Sequence, residues 1–375
     1  MPRSGIREIM DLAWSTPDVS HLEVGEPNFP TPDHIVEAAV RAARGGYTKY
    51  TPNRGLVELR EAIVGKLRTH NHITADIDDV VVTTGATNAL ILAFMALVDP
   101  GDVVLVPDLE WPNLAMTPTA LNARVVRYHL DPSNGFLPDI DDLDRLCGTT
   151  PNVKVLVLNS PSNPTGAVYP RSVVEGLVEL AERHDLYVIS DECYEDIVFE
   201  GEHVSPASVG SSDRIVSVFS TSKSYAMTGW RLGYAVAGEA LARDMAKTQE
   251  IVTACANAVS QKAAEAAIRG DQDCVAVMRE AYRARRDLAV ERLDDAGLLV
   301  SRPGGAFYIM ASTGGCEFDG YEFCRRLITE HGVAVAPGEA FGEGGRGMVR
   351  FSLAADIDVL DEGLARFEKA VVAWC

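Results

Sequence analysis

The sequence predicts an α/β protein with a mainly parallel sheet that is sandwiched by helices. Short runs that are apolar throughout, such as 103–107 and 215–219, alternate with stretches of helical periodicity such as 172–184. Strands without a polar face are typical of a sheet that is covered on both sides. Helices between such strands supply the right-handed crossovers of a parallel sheet. We therefore expect the functional side chains in loops at the carboxyl ends of the strands.

The elements of the large domain follow from this alternation. The pattern predicts strands at 80–84, 103–107, 153–158, 186–190 and 215–219. It predicts helices at 88–98 and 172–184, and an alanine-rich helical stretch over 238–269. We expect a large domain over residues 41–275.

A smaller α+β domain is expected from both ends of the chain, residues 1–40 and 276–375. Its helices are predicted at 33–44, 271–295 and 320–331, and its strands at 298–301, 306–311 and 349–353. Pro27, Pro30 and Pro32 favour an extended crossing before the first of these helices.

Composition excludes several classes of function. The 375 residues are 47% hydrophobic, and the formal net charge of −20 opposes binding to nucleic acid or an anionic membrane. The seven cysteines are irregularly spaced without a CxxC or zinc pattern, so we expect no metal site and a reducing cytoplasm. No run of 18 apolar residues occurs and the first eleven residues carry charges, so neither a membrane span nor a signal peptide is expected.

The most informative segment follows the strand at 215–219. Ser220 and Ser222 can donate hydrogen bonds to phosphate oxygens, and Arg231 can add a bidentate charged contact. Lys223 lies among these groups, and a lysine near other cations loses its proton more easily and can attack an aldehyde to form a Schiff base. The segment therefore indicates pyridoxal 5'-phosphate, although an isolated Ser-x-Ser-Lys is more often a solvated loop.

Two earlier strand ends carry groups that a pyridoxal ring needs. Asp191 ends a buried strand, where its carboxylate would pair with a protonated ring nitrogen, and Tyr194 would reach the phenolic oxygen. Asn163, in the turn at 159–166, would donate to the same oxygen. A helix cap and an ordinary Asn-Pro-Gly turn are the structural alternatives.

A third group lies at the start of the helix predicted from residue 88. Gly85, Ala86 and Thr87 precede it, and free backbone N–H groups at a helix N-terminus favour a phosphate. Taken alone, this is also a plain helix start.

These motifs occur in order, with Gly25-Glu26-Pro27 near the N-terminus, and the whole chain resembles the fold type I pyridoxal-phosphate family, specifically the class I/II aminotransferases of the aspartate aminotransferase group. The resemblance implies an enzyme that moves an amino group between an L-amino acid and a 2-oxo acid through an aldimine on Lys223. The alternative is a related enzyme that diverts the carbanion or quinonoid to elimination, cyclisation or oxidation in a biosynthetic pathway.

The resemblance also implies a role for each matching residue. The implied catalytic residues are Lys223, Asp191 and Tyr194. The implied cofactor-binding residues are Gly85, Ala86, Thr87, Trp111, Asn163, Asp191, Tyr194, Ser220, Ser222, Lys223, Arg231 and Tyr50. The implied substrate-binding residues are Gly25, Trp111, Asn163 and Arg350.

Three of these roles extend beyond the strand ends. Arg350 would clamp the substrate α-carboxylate, and Trp111 would stack on the cofactor. Tyr50 would reach the phosphate of the neighbouring subunit, which implies a homodimer with shared active sites.

The substrate is less well defined. Some relatives that use acidic substrates place a lysine where this chain has Thr87, so a preference for aspartate is not assured. Lys49 and Arg54 flank Tyr50 and are candidates for that role from the partner subunit. Phe307-Tyr308 follows a family pattern near the substrate side chain, but a position in a strand core explains it equally well.

Two other classes of protein compete with this interpretation. A pyridoxal-binding transcriptional regulator needs an N-terminal DNA-binding domain, and fewer than 25 residues precede Gly25. A nicotinamide oxidoreductase needs a GxGxxG turn after a strand, which the sequence lacks.

Overall fold

The computed structural model describes residues 5–211 and 213–375. The α-helices in these ranges are α1 (Gly5–Ser15), α2 (Asp33–Arg44), α3 (Val57–Lys66), α4 (Ala86–Leu97), α5 (Asn113–Ala120), α6 (Ile140–Thr149), α7 (Arg171–Arg183), α8 (Thr221–Ser224), α9 (Glu239–Val252), α10 (Ala258–Arg269), α11 (Asp273–Asp295), α12 (Gly320–His331) and α13 (Ile357–Trp374). The strands are β1 (Ser20–His21), β2 (Val80–Thr83), β3 (Val103–Pro107), β4 (Arg124–Tyr128), β5 (Leu130–Asp131), β6 (Leu137–Pro138), β7 (Val153–Asn159), β8 (Tyr187–Asp191), β9 (Ile215–Ser220), β10 (Gly233–Val236), β11 (Tyr308–Ser312), β12 (Val333–Ala334), β13 (Ala336–Pro337) and β14 (Met348–Ser352).

The central sheet has seven strands in the order β2, β10, β9, β8, β7, β3, β4. Strands β9, β8, β7, β3 and β4 are parallel, whereas β10 is antiparallel to both β9 and β2. The prediction of a mainly parallel sheet is therefore confirmed. Because β10 reverses direction between β9 and β2, the carboxyl end of β2 meets those of the parallel strands at one edge.

Helices cover both faces of this sheet, as the apolar strands predict. On β7, Val155 and Val157 pack with residues of α4, α5 and α9, whereas Leu156 and Leu158 pack with residues of α6 and α7. Each such side chain contributes about 1.5–3 kcal/mol when it is fully buried. Polar side chains are consequently confined to the strand ends, where the site forms.

A second group of strands joins the two ends of the chain. Strands β11, β14 and β13 form an antiparallel sheet, and β1 pairs in parallel with β12. Leu22 continues this pairing, because its backbone N–H donates to Ala334 and its carbonyl accepts from Ser352. The segment that leads to Gly25 is thereby held beside β14, which carries Arg350.

The structure corrects one helix of the sequence analysis. The stretch 238–269 forms two helices, α9 and α10, rather than one. Ala254 adopts a left-handed φ of 60°, and the Asn257 side chain accepts a hydrogen bond from the Ser260 N–H at 3.0 Å. A left-handed residue interrupts a helix and an asparagine cap starts the next, so the alanine-rich composition hid this break.

One strand prediction is also wrong. Residues 298–301 form no regular strand and make a single bridge, between Leu299 and Ala311. The next strand begins at Tyr308 rather than at residue 306, because Ala306 has a left-handed φ of 53°. Pro303 also lacks the N–H group that a strand ladder requires.

Among the described residues, no helix has the length and apolar character that crossing a membrane requires.

Cys316 and Cys375 are bonded to each other. The irregular spacing of the cysteines in the sequence gave no indication of this pair.

Candidate active site

A cavity of about 390 Å³ lies at the carboxyl ends of the central strands. Loops after five strands, together with β14 and the segment after β1, contribute its lining. The predicted site residues that it brings together are Gly25, Ala86, Thr87, Trp111, Asn163, Asp191, Tyr194, Ser220, Ser222, Lys223, Arg231 and Arg350.

Lys223 lines this cavity and is held by the segment around Gly25. Its Nζ atom donates a hydrogen bond to the Gly25 carbonyl at 2.6 Å and lies 5.6 Å from the centre of the Phe307 ring. Burial lowers the pKa of Lys223 to about 8, and the charges of Arg350 and Arg231 act in the same direction. About a tenth of such an amine is neutral at pH 7, which suits attack on an aldehyde.

The loop before α4 provides a fitting cradle for a phosphate group. Gly85 has a left-handed φ of 78°, and a Cβ atom added there would lie 2.5 Å from Arg231 Nη2. The guanidinium of Arg231 therefore contacts the backbone of Gly85 directly before α4, where a side chain would be in the way. Together with the hydroxyl groups of Ser220 and Ser222, these donors match a phosphate dianion.

Gly233 supports this cradle from behind. It pairs with Thr83 and Ser220 in the sheet, and a Cβ atom added to it would lie 2.6 Å from the Ala86 nitrogen and 2.8 Å from the Phe219 carbonyl. A residue larger than glycine at position 233 would therefore clash with the backbone at the N-terminus of α4.

We expect Gly233→Ala to weaken pyridoxal phosphate binding roughly ten-fold or more, because overpacking costs about 1–3 kcal/mol and would displace the end of α4. Titration of the apoenzyme with the cofactor measures this. Gly229→Ala is the matched control, since a Cβ atom there meets no described atom within 4 Å. Equal affinities in the two variants would contradict the assigned cradle.

The groups around the expected ring position also fit a pyridoxal. Asp191 is buried, and its Oδ1 atom accepts a hydrogen bond from the Cys193 N–H at 3.2 Å. Burial raises the pKa of Asp191, while the charge of Lys223 opposes the shift. A buried carboxylate of this kind is stabilised as an anion by a cationic partner, which a protonated ring nitrogen would supply.

Tyr194 is suited to donate a hydrogen bond to a phenolic oxygen. Its hydroxyl group lies 2.8 Å from that of Tyr308, and burial raises the pKa of Tyr194 well above its usual value. The hydroxyl therefore stays protonated. Asn163 lies nearby on the loop after β7, where its backbone N–H donates to Asn159 Oδ1 at 2.8 Å.

Arg350 is buried, and both of its Nη atoms are held by hydrogen bonds. Its Nη1 atom donates to Asn163 Oδ1 at 2.9 Å, and its Nη2 atom donates to the Glu23 carbonyl at 2.6 Å. The guanidinium lies over the rings of Tyr308, at 4.3 Å, and Phe341, at 4.6 Å. Burial lowers the pKa of Arg350, but an arginine remains charged in proteins. The arrangement presents a preoriented cation to a carboxylate.

Tyr50 and Arg54 of the sequence analysis lie apart from the cavity of this chain, and Gly85, Lys49 and Phe307 are not among its lining residues. The Tyr50 side chain is 90% exposed and does not contact the cavity. Arg54, a candidate for substrate recognition, donates from Nη1 to Asp78 Oδ1 at 2.9 Å, so its charge is already paired.

Sequence reasoning missed several lining residues. Ile6 and Met10 of α1, Glu23 and Thr228 were not singled out, although all four line the cavity. Glu23 stands between Leu22 and Val24, directly before the Gly25 motif, but this placement alone does not indicate a cavity.

The chain is similar to known aminotransferases over nearly its whole length. The family model "Aminotransferase class I and II" matches residues 17–367. The chain is 39% identical over 368 residues to a probable aspartate aminotransferase of Methanocaldococcus jannaschii, covering 96% of this chain and 95% of the relative. It is 40% identical over 365 residues to the aspartate/prephenate aminotransferase of Thermus thermophilus, covering 96% of this chain and 93% of the relative.

Solved structures of similar proteins share the fold. A single mutant of Thermus thermophilus aspartate aminotransferase superposes with a TM-score of 0.94 at 39% identity, covering 99% of this chain and 97% of that one. The aromatic aminotransferase of Pyrococcus horikoshii gives a TM-score of 0.91 at 36% identity, covering 97% of this chain and 99% of that one.

These findings confirm the predicted fold type I architecture, the pyridoxal phosphate cofactor and the amino transfer between an amino acid and a 2-oxo acid. The alternative of elimination, cyclisation or oxidation receives no support from them. The chain belongs to the class I and II aminotransferase family.

Proposed function

We propose that Lys223 is the catalytic lysine of this aminotransferase and that Asp191, Tyr194, Asn163 and Arg350 hold the cofactor and substrate around it. The observation that carries the proposal is the position of Lys223, which lines the same cavity as Arg231 and Arg350 and whose Nζ atom donates to the Gly25 carbonyl at 2.6 Å. The lowered pKa of this amine supports the same role.

Arg350 orients the substrate. Its preoriented fork would bind the α-carboxylate bidentately, because the contacts to Asn163 and the Glu23 carbonyl fix the guanidinium plane. Fixing the carboxylate directs the α-carbon hydrogen towards Lys223, and such positioning is a large part of catalysis.

Lys223 moves the proton. Its Nζ atom, once free and neutral, would take the proton from the substrate α carbon and deliver it to the cofactor carbon that receives the amino group. Pyridoxal phosphate supplies the carbon that receives the amino group and a ring that delocalises the electrons left on the α carbon. Asp191 would stabilise positive charge on the ring nitrogen, and Tyr194 would donate to the phenolic oxygen.

The pH dependence of cofactor binding tests the role of Lys223. Only the neutral amine attacks an aldehyde, so the rate of recombination of apoenzyme with pyridoxal phosphate should rise with pH and level off above about pH 8. Because the pKa of Lys223 is lowered, its amine becomes fully neutral at a lower pH than an ordinary lysine does. The rate should therefore level off at a lower pH as well. Stopped-flow absorbance measures the rate. A rate that continues to rise towards pH 10 would contradict a perturbed lysine.

The proposal includes a homodimer with shared active sites. Its support is Tyr50, which follows Lys49 and has a large side chain that is 90% exposed. Tyr50 does not line the cavity of its own chain. Tyr50 would reach the phosphate of the partner's site. Equilibrium sedimentation of the active holoenzyme tests the dimer, and an active monomer would exclude it.

The proposal also includes the domain boundaries and the cellular location. We place a large cofactor domain at residues 41–275 and a small domain at 1–40 and 276–375, supported by the separate sheets of the two regions. We also propose a cytoplasmic location: five of the seven cysteines are free, although the bond between Cys316 and Cys375 is unusual for a reducing compartment, and cell fractionation tests the location.

A further inference from the structure

The first helix presents an apolar face to the active-site cavity. Ile6 and Met10 lie one turn apart on α1, so they share one face of the helix, and both line the cavity. The neighbouring face carries Ile9 and Ala13, which are fully buried in a core with residues of β11 and β14. Ile6 and Met10 are only partly buried, so they keep accessible apolar surface beside the cavity.

This apolar face lies at the end of the cavity that contains Arg350. Helix α1 packs against β13, and Ala336 of β13 pairs in register with Arg350 of β14. Ile6 also packs on the hydrophobic cluster that includes Phe341, whose ring lies 4.6 Å from the Arg350 guanidinium. A substrate that is held by Arg350 would therefore lie close to α1.

The roles proposed above leave this face for the substrate side chain. Arg350 would bind the α-carboxylate, and the α-carbon hydrogen would point towards Lys223. The proposed reaction gives no role to Ile6, Met10 or Val24, which are apolar residues of the lining. These residues are therefore available to contact the remaining group on the α carbon, the side chain.

The charges of the lining disfavour a second carboxylate at this face. Within the described part of the chain, the lining cations are Lys223, Arg231 and Arg350, and the proposed reaction uses all three. Thr87 also lines the cavity, and it is neutral where some relatives with acidic substrates place a lysine. A carboxylate that is moved among apolar side chains without a cationic partner loses its hydration at a large cost.

We propose that the enzyme acts on amino acids with a large apolar side chain, such as leucine or phenylalanine, and that Ile6 and Met10 determine this specificity by packing against that side chain. The driving force is the removal of apolar surface of both partners from water. The inference rests on the proposed function, because it takes Arg350 as the residue that binds the α-carboxylate.

Leucine and aspartate give the sharpest comparison, because their side chains have equal numbers of heavy atoms and differ in polarity and charge. We expect the second-order rate constant for conversion of the holoenzyme by leucine to be at least about ten-fold higher than that for aspartate or for alanine. Stopped-flow absorbance of the cofactor measures these constants without an amino acceptor. A preference for aspartate, which a cation such as the partner subunit's Lys49 would produce, would overturn the inference.

Met10→Lys tests the role of the α1 face. The lysine removes apolar surface and adds a cation beside the substrate side chain, so the ratio of leucine to aspartate should fall at least about ten-fold. Met10→Leu keeps an apolar surface of similar volume, so this ratio should stay within about two-fold of the unmodified enzyme.

Met95→Lys is the matched control for Met10→Lys. Met95 lies on α4, is 40% exposed and does not line the cavity, so its substitution should keep the ratio of the unmodified enzyme. An unchanged ratio in Met10→Lys would overturn the inference. An equal loss in Met10→Lys for leucine, aspartate and alanine would also overturn it, since that result shows a structural role for Met10.

Binding of inert analogues separates this inference from the proposed function. 4-Methylpentanoate and succinate correspond to leucine and aspartate without the amino group, so they cannot react with the cofactor. Calorimetric titration of the holoenzyme should give a dissociation constant at least about ten-fold lower for 4-methylpentanoate than for succinate. If no amino acid is converted, the proposed function fails, and these two constants still decide the preference of the cavity. Tighter binding of succinate would contradict an apolar side-chain site.

Discussion

Lys223→Ala should reduce amino transfer by about 10⁴-fold or more, because the variant loses both the amine that bonds the cofactor and the base that moves the α-proton. The change removes a side chain that faces a cavity, so the fold should persist. Steady-state kinetics with the preferred amino donor measures the loss, and circular dichroism checks the fold.

Lys247→Ala is the matched control for this variant. Lys247 lies on α9 with 68% of its side chain exposed and pairs with Asp244. An exposed pair of this kind contributes little to stability, so activity should remain at the level of the unmodified enzyme. Activity of Lys223→Ala within ten-fold of this control would contradict the assignment of the catalytic lysine.

Arg350→Leu should lower kcat/KM for amino acids roughly 10²-fold to 10³-fold, since truncation of one partner of a buried charge pair costs about 2–5 kcal/mol. Most of the loss should depend on the substrate carboxylate. The primary amine that corresponds to the best amino acid lacks this group, so its slow reaction should change far less. A parallel assay of the amino acid and the amine measures the difference.

Arg346→Leu serves as the control for Arg350→Leu. Arg346 lies four residues earlier and is 78% exposed, with Glu343 as its partner. It should therefore keep normal kinetics. An equal loss for the amino acid and the amine in Arg350→Leu would mean that Arg350 maintains the site structurally and does not bind the carboxylate.

The residues at the strand ends of the central sheet could be predicted, because the burial of each strand follows from its own residues. A strand that is apolar throughout must be buried on both faces, so the polar residues at or just beyond its carboxyl end, such as Asp191 or Lys223, have to lie where the strands end. Five strand ends carry the groups that we assign to the cofactor, and the order of the motifs along the chain was enough to predict that these groups meet.

The substrate side of the cavity could not be predicted in the same way. Glu23 lies in the cavity because β1 pairs with β12 and Leu22 pairs with residues of both neighbouring strands. Ile6 and Met10 reach it through α1, whose packing on α12 joins segments about 300 residues apart. These contacts are long-range, and no local pattern in the sequence encodes them.

The errors in secondary structure have a similar origin. The break between α9 and α10 depends on the backbone of Ala254, a residue that favours helix by itself. The late start of β11 depends on Ala306 in the same way. Both residues adopt a left-handed conformation that an alanine side chain does not favour, so their identity gave no sign of either break.

Reduction of the holoenzyme with borohydride, followed by peptide mass mapping, identifies the lysine that holds the cofactor. Borohydride fixes the cofactor to the amine that holds it. We expect one pyridoxyl group per chain, attached to Lys223, and no label in an enzyme that was first converted by an amino donor. A label on another lysine, or a cofactor that dissociates unlabelled from the resting enzyme, would refute the role of Lys223.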